Sequence, residues 1–385
     1  MSAAPSIDGF LASHLRGEAP PWPPAWTDRE FEEQFARRVF FHGIAGLLVD
    51  QAGALAGWPS SVTTPIRAEA LAQAMWELKH LQVLRELLDA LQSAGIPSVV
   101  TKGSAMAYAL YPQPNLRRRG DTDLLVRDTD LAGARDVFTQ LGFTRLHNTH
   151  GPFGDIHFQE VWQHRALDGT SHDIDLHWRV TNSNALDRVL PVEECFERSI
   201  ALPRLHPVAR ASDPVTRLVN GCLSRASHAA RGYVSVDCNH YDGDRLVWAM
   251  DYHLLAREYG EADWAELVRL TCEREVAAIC LDGLRFARKT LGTSIPECVE
   301  RELAAASPDS WVLSFIDEPS DLRRLATELR AIGSTKRRLQ MVLAHALPSA
   351  AFMRSKYPQQ ERWPLAALYG RRLLAKMVRL GRRGQ

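Results

Sequence analysis

The sequence predicts an α+β fold, a small mixed-sheet core flanked by an N-terminal helical segment and a larger C-terminal helical region. Three observations carry the prediction. Up to about residue 94 apolar residues recur at helical spacing, first as Phe31, Phe35, Val39 and Phe40 and then as Leu71, Met75, Leu78, Leu81, Leu84, Leu88 and Leu91. From Ile96 the pattern changes to short apolar runs alternating with helix-forming stretches. Beyond Asn184 helical patterning returns and continues to the end.

Residues 1–26 close in Ala19-Pro20-Pro21-Trp22-Pro23-Pro24, too rich in proline for regular structure, and read as a flexible arm. Residues 27–80 form the N-terminal helical segment, opened by the start signal Thr27-Asp28 with Glu30. The core occupies residues 81–184: a strand at 96–100, a helix at 104–111, a strand at 121–126, a helix at 129–141, a strand at 143–146, a weaker strand at 157–162 and a strand at 172–180. Residues 185–385 form a helical domain with segments around 214–230, 243–259, 264–291 and 320–347. Its last stretch interleaves Leu368, Leu373, Leu374, Met377 and Leu380 with Arg371, Arg372, Lys376, Arg379, Arg382 and Arg383. That is a basic amphipathic helix. Docking by its apolar side is preferred to peripheral contact with a membrane.

Composition narrows the function. Forty-six basic residues balance forty-six acidic ones in 385, so no overall field draws the chain to nucleic acid or anionic lipid. A long nucleic-acid partner is disfavoured, and any such recognition must be local, near Arg117 or the C-terminus. Cys195, Cys222, Cys238, Cys272, Cys280 and Cys298 are scattered without a CxxC pair, which favours reduced, buried thiols and a cytoplasmic location. Met1 to Pro24 has no uninterrupted apolar segment of the signal-peptide kind, and no stretch approaches the ~20 apolar residues of a membrane span.

The chemistry gathers in two places. Val99-Val100 runs into Lys102-Gly103-Ser104 and then into helix formers, and the unpaired N–H groups of a helix's first turn attract anions. Asp121 and Asp123 open the next strand, and alternation puts both on one face, roughly 6.6 Å apart. In the later strand Asp173, Asp175 and His177 share a face while Ile174, Leu176 and Trp178 share the other. A phosphate turn with three carboxylates suits metal-dependent phosphoryl transfer, because two divalent ions can neutralise charge on the entering and leaving oxygens. Each feature alone has an ordinary structural reading: a serine-capped turn, a solvated strand end, a surface ladder. Their joint occurrence in this order favours the functional one.

Of the other polar residues, His147, His150, His157, His164, His172 and His177 cluster without a cysteine, so a zinc site is not expected there. His228 and residues 237–240 read as structural. One of Arg117, Arg118 and Arg119 is expected to clamp phosphate.

The segments Lys102-Gly103-Ser104-Ala105, Leu110-Tyr111-Pro112, Arg117 through Val126 and Asp173-Ile174-Asp175-Leu176-His177-Trp178 resemble the uncharacterised bacterial nucleotidyltransferase family of the DNA polymerase β-like superfamily. The resemblance spans about Leu81 to Val180 and continues loosely to Asp251 and Trp264. It implies a nucleotidyltransferase using Mg²⁺ or Mn²⁺ and a nucleoside triphosphate. Gly103 and Ser104 would contact phosphate, with Lys102 and Arg119 facing the triphosphate and His177 lining the cleft. Asp121, Asp123 and Asp175 would ligate metal, and Asp175 would help activate the acceptor. The resemblance supplies no acceptor; on the neutral net charge a small molecule, peptide or protein is expected rather than a long nucleic acid. Two rivals remain: a non-catalytic nucleotide-binding subunit of the same fold, and a glycosyltransferase using Asp121-Thr122-Asp123. The second is disfavoured because such enzymes build an α/β nucleotide-binding half upstream, where this chain reads as helical.

Overall fold

The computed structural model describes residues 6–26, 28–146, 158–234, 239–240, 243–307, 310–348, 350–360 and 362–382. The first element corrects the arm expected at residues 1–26. Ile7–Leu15 is a helix, α1, whose N-cap Ser6 accepts a hydrogen bond from the Gly9 amide at 3.1 Å. The prolines come only after it, and Trp22 and Trp26 fold back to pack with Phe10, Phe35 and Trp58. Aromatic burial, invisible to a propensity argument, fixes this segment.

Helices α2 (Arg29–His42), α3 (Ala45–Asp50) and α4 (Ser60–Ser93) follow. The long α4 crosses residue 80, where the sequence suggested a boundary. Its C-terminal half buries Leu84, Leu87, Leu88 and Leu91. Leu71, Met75 and Leu78, expected on the same packed side, are instead exposed, because that half of α4 turns them outward.

Strand β1 (Val99–Thr101) leads into α5 (Lys102–Leu110), then β2 (Asp121–Leu125), α6 (Leu131–Gln140), β3 (Thr144–Arg145), β4 (Gln159–Arg165) and β5 (Ser171–His177). After α7 (Val192–Glu197) come β6 (Ile200–Ala201) and β7 (Arg210–Ala211), which correct the expectation of helix alone beyond residue 184. Two-residue strands carry no periodic signal, and only the pairing of β7 to β1 and of β6 to β7 reveals them. The sheet order is β3-β4-β5-β2-β1-β7-β6, with β2 parallel to β5 and β1 antiparallel to β2.

The rest is helical apart from a short hairpin of β8 (Tyr233–Val234) and β9 (Asn239–His240). It comprises α8 (Pro214–Arg231), α9 (Leu246–Glu258), α10 (Glu261–Glu273), α11 (Ala277–Leu291), α12 (Glu297–Ala305), α13 (Trp311–Asp317), α14 (Asp321–Ala331), α15 (Thr335–Ala346), α16 (Ala350–Lys356) and α17 (Leu365–Arg382). The stretches expected at 264–291 and 320–347 are each divided, the first at Glu275 with φ of 57° and the second around Gly333. Leu368 of α17 is fully buried. Among the described residues no helix is long and apolar enough to cross a membrane.

Strand alternation sorts the sheet's two faces. Val100, Leu124, Trp162, Ile174 and Leu176 pack with α4 and α6 on one face. On the other, Val99 and Leu125 join the core built by α8, α9 and α11, while the ends of β2 and β5 beyond them carry acid. Cys195, Cys222 and Cys280 are free and buried, as expected; Cys272 and Cys298 are free and exposed, contrary to it.

Candidate active site

Parallel pairing of β2 with β5 sets Asp121 opposite Asp173 and Asp123 opposite Asp175. Residues opposite one another in a sheet share a face, so four carboxylates from strands about fifty residues apart lie together. The antiparallel β4 supplies the flanking amides. Gln159 Nε2 donates to Asp175 Oδ2 at 3.2 Å, and Gln163 Nε2 to Asp173 Oδ1 at 3.0 Å.

Asp123 is the hub. Its Oδ1 accepts from Lys102 Nζ at 2.6 Å and meets His177 Nε2 at 2.9 Å. Ligand atoms of Asp123, Asp175 and His177 all lie within 4.8 Å of one another, the geometry of a cation site. Burial alone would push Asp123 up, but the Lys102 ammonium and the His177 ring reverse this and hold it well below the usual carboxylate range. For the other two acids the nearby cations, Lys102 for both and Arg117 and Arg119 for Asp121, compensate only in part. Burial, then Asp123 and Asp121, raise Asp175 to about 8, and crowding by surrounding protein followed by Asp123 raises Asp121 to about 6 although its surface opens to the cleft. Burial and Lys102 lower His177, keeping the ring neutral and able to act as a ligand. Hard carboxylate oxygens with surplus negative charge and one imidazole are a donor set that fits Mg²⁺ or Mn²⁺.

The turn before α5 is built differently from the glycine turn the sequence suggests. Lys102, not Gly103, has positive φ, at 47°. Gly103 is needed for another reason: a Cβ there would lie 2.7 Å from Arg117 Nη1. The first turn of α5 has no side-chain cap, which leaves its amides free beside the carboxylates.

The expected phosphate side chains divide. Ser104 is fully buried; its Oγ accepts from Arg119 Nε at 2.9 Å and pairs with Thr122 Oγ1 at 2.7 Å. Arg119 also bonds Glu77, with Nη2 donating to Oε1 at 2.8 Å. Both side chains are thus turned away from the cleft, and only the Ser104 amide is left for phosphate. Arg117 is clamped by Asp251, with Nη2 donating to Oδ2 at 2.7 Å, and Tyr111 donates to the same carboxylate at 2.7 Å. Arg118 pairs with Glu69 at 2.6 Å. None of the three arginines needs phosphate as its partner.

Sequence reasoning missed the groups behind β2. His80 of α4 meets Thr122 Oγ1 through Nε2 at 2.8 Å and His172 Nδ1 through Nδ1 at 3.3 Å, and Tyr108 donates to Glu77 at 2.5 Å. The polar residues Glu77 and His80 amid apolar neighbours on α4 were the available signal. Of the histidine cluster, His172 packs on His80 and His177 joins the acids, while His147, His150 and His157 lie outside the described residues. His228 stacks on Trp248; Asp237 and Cys238 are also outside the described residues.

The model of a family described as uncharacterised nucleotidyltransferase matches residues 30–292. The chain belongs to this family. A search of curated proteins returns no match. The nucleotidyltransferase match is wider than the core from 81 to 180, taking in α2 through α11. It therefore includes Glu77, His80 and Asp251, the residues that support the acidic strands from behind and below.

Proposed function

We propose that this nucleotidyltransferase family member transfers a nucleotidyl group from a nucleoside triphosphate to an acceptor hydroxyl or phosphate, releasing pyrophosphate. What supports the reading above all is the in-register meeting of Asp123 with Asp175, beside Asp121 and at the uncapped start of α5. Asp121, Asp123 and Asp175 would hold Mg²⁺ or Mn²⁺, with His177 at the edge of the set, and two such ions when bound neutralise charge on the entering and leaving oxygens. The amides of Gly103 and Ser104 hold phosphate oxygens, and Lys102 supplies a mobile positive charge for the triphosphate. The acceptor oxygen bonds to the α-phosphorus, the bond from that phosphorus to the bridging oxygen breaks, and pyrophosphate leaves with its electron pair. Asp175 Oδ1 or Oδ2 takes the acceptor's proton.

The test is incubation with α-labelled triphosphates, Mg²⁺ or Mn²⁺, and small-molecule, peptide, protein and RNA acceptors. Label should move to one acceptor class with the native chain and not with Asp121→Ala/Asp123→Ala. Nucleotide binding by calorimetry without turnover over the whole panel would favour a non-catalytic binding subunit. If the native chain fails to bind metal and triphosphate at all, the reading is wrong.

A further inference from the structure

We propose that Lys102 is a built-in counterion that occupies the cation position among these carboxylates and must be displaced for a divalent metal to bind. The inference rests on the nucleotidyltransferase reading of the same carboxylates and adds a competitor to it. Lys102 Nζ lies 2.6 Å from Asp123 Oδ1, the oxygen that also meets His177 Nε2 at 2.9 Å. That oxygen belongs to the trio whose ligand atoms lie within 4.8 Å of one another. A dication drawn to this trio and an ammonium at contact distance repel each other, so one position serves both.

Two further observations separate Lys102 from an ordinary structural ion pair. Its backbone is in the left-handed region at φ of 47°, a conformation that costs a non-glycine residue free energy and persists where the surroundings impose it. Arg117 is locked to Asp251 and Arg119 to Glu77 with at most a tenth of either side chain exposed, whereas the Lys102 side chain is about a third open to the cleft. A lysine stem of four carbons can leave Asp123 without breaking a fork of paired hydrogen bonds. With Asp121 and Asp175 engaged by the same metal, the incoming polyphosphate offers the released ammonium a new partner. Metal and triphosphate binding are thereby linked, because the anion takes up the charge that the metal expels.

The probe is Mn²⁺ alone, titrated into the EDTA-treated full chain and followed by electron paramagnetic resonance. Lys102→Gln should bind Mn²⁺ about tenfold more tightly than the native chain or better, within the range usual for coupled sites. Lys102→Asn, which tolerates positive φ, should do the same and guards against a folding defect in the first variant. Arg118→Gln removes a neighbouring charge that is paired to Glu69, and it should shift the affinity by less than about threefold. Asp123→Asn should abolish the binding. If both Lys102 variants bind no more tightly than the native chain while Asp123→Asn still abolishes binding, the counterion proposal is overturned and the metal site stands. If Asp123→Asn leaves Mn²⁺ binding unchanged, the metal site and the counterion fail together.

Discussion

Strand β2 presents two polar surfaces of opposite character. On its cleft face Asp121 and Asp123 stand beside Asp173 and Asp175, with Lys102 and a neutral His177 as the immediate counterweights. On its other face Thr122 is buried in a network in which Ser104, His80, Arg119, Glu77 and Tyr108 answer one another donor to acceptor. Burial and Arg119 keep His80 far below its ordinary value, so the ring is neutral there. One face is left electrostatically incomplete and the other is largely paired, with His172 Nε2 behind His80 left without a hydrogen-bond partner among the described residues. The paired face holds the strand still while the other presents its carboxylates to the cleft, so that rigidity and charge come from different sides of five residues.

The sharpest way to break this comparison is to neutralise one group on each face. Asp175→Asn should lower transfer by about 10³-fold or more, the scale of losing charge stabilisation in a transition state, while leaving the melting temperature unchanged or higher. Arg119→Met should do the reverse in emphasis. It leaves Glu77 charged and buried, and loss of one partner of such a pair costs about 3–5 kcal/mol in denaturant unfolding. If Asp175→Asn is the less stable of the two, the division of labour is wrong. A smaller effect is expected from Thr122→Val. Removing its hydroxyl leaves His80 and Ser104 short of a partner, at about 1–3 kcal/mol.

The pH dependence sharpens the same contrast with the smallest signal. Asp121 and Asp175 have folded values of about 6 and about 8 against an ordinary 3.8, so the folded chain binds more protons than the unfolded chain. Their contribution to stability is complete below the ordinary value and is lost as pH rises through the folded values. Asp123 is shifted the other way, and its contribution is lost only in acid below the usual carboxylate range. Thermal melts of the metal-free chain should therefore fall across pH 5 to 9 by more than those of Asp175→Asn. Added Mg²⁺ should restore more at the alkaline end, with proton release on binding. Equal slopes for the two chains would show that the cleft carboxylates are not strained.

Much of the acidic face was legible in the sequence. Period-two alternation put Asp121 with Asp123 and Asp175 with His177, and apolar Ile174 and Leu176 opposite them, because a strand cannot present neighbours to the same side. What alternation cannot give is the neighbour across the sheet. Arg119 was expected at phosphate and Ser104 beside it; both were claimed by Glu77 and Thr122, whose polar groups would otherwise be buried unpaired. The α4 stripe failed for a related reason. Helical spacing predicts which residues share a side, and Leu71, Met75 and Leu78 do, but it does not say which side meets the core, and along this 34-residue helix the buried line runs through Val62, Ile66, Glu77, His80 and Leu84 instead.

By itself, then, the order of residues determined the longer strands and most of the helices, the acidic pair, the third acid and the family, while α1, β6 and β7 escaped it. These depend on local periodicity and on short motifs, which a linear chain contains in full. The tertiary structure alone decided that Asp123 faces Asp175, that Lys102 lies on them as counterion and that the three arginines are held by Asp251, Glu69 and Glu77. Charge pairing acts through space over a few ångströms, and the partners here are separated by 21 to 134 positions along the chain.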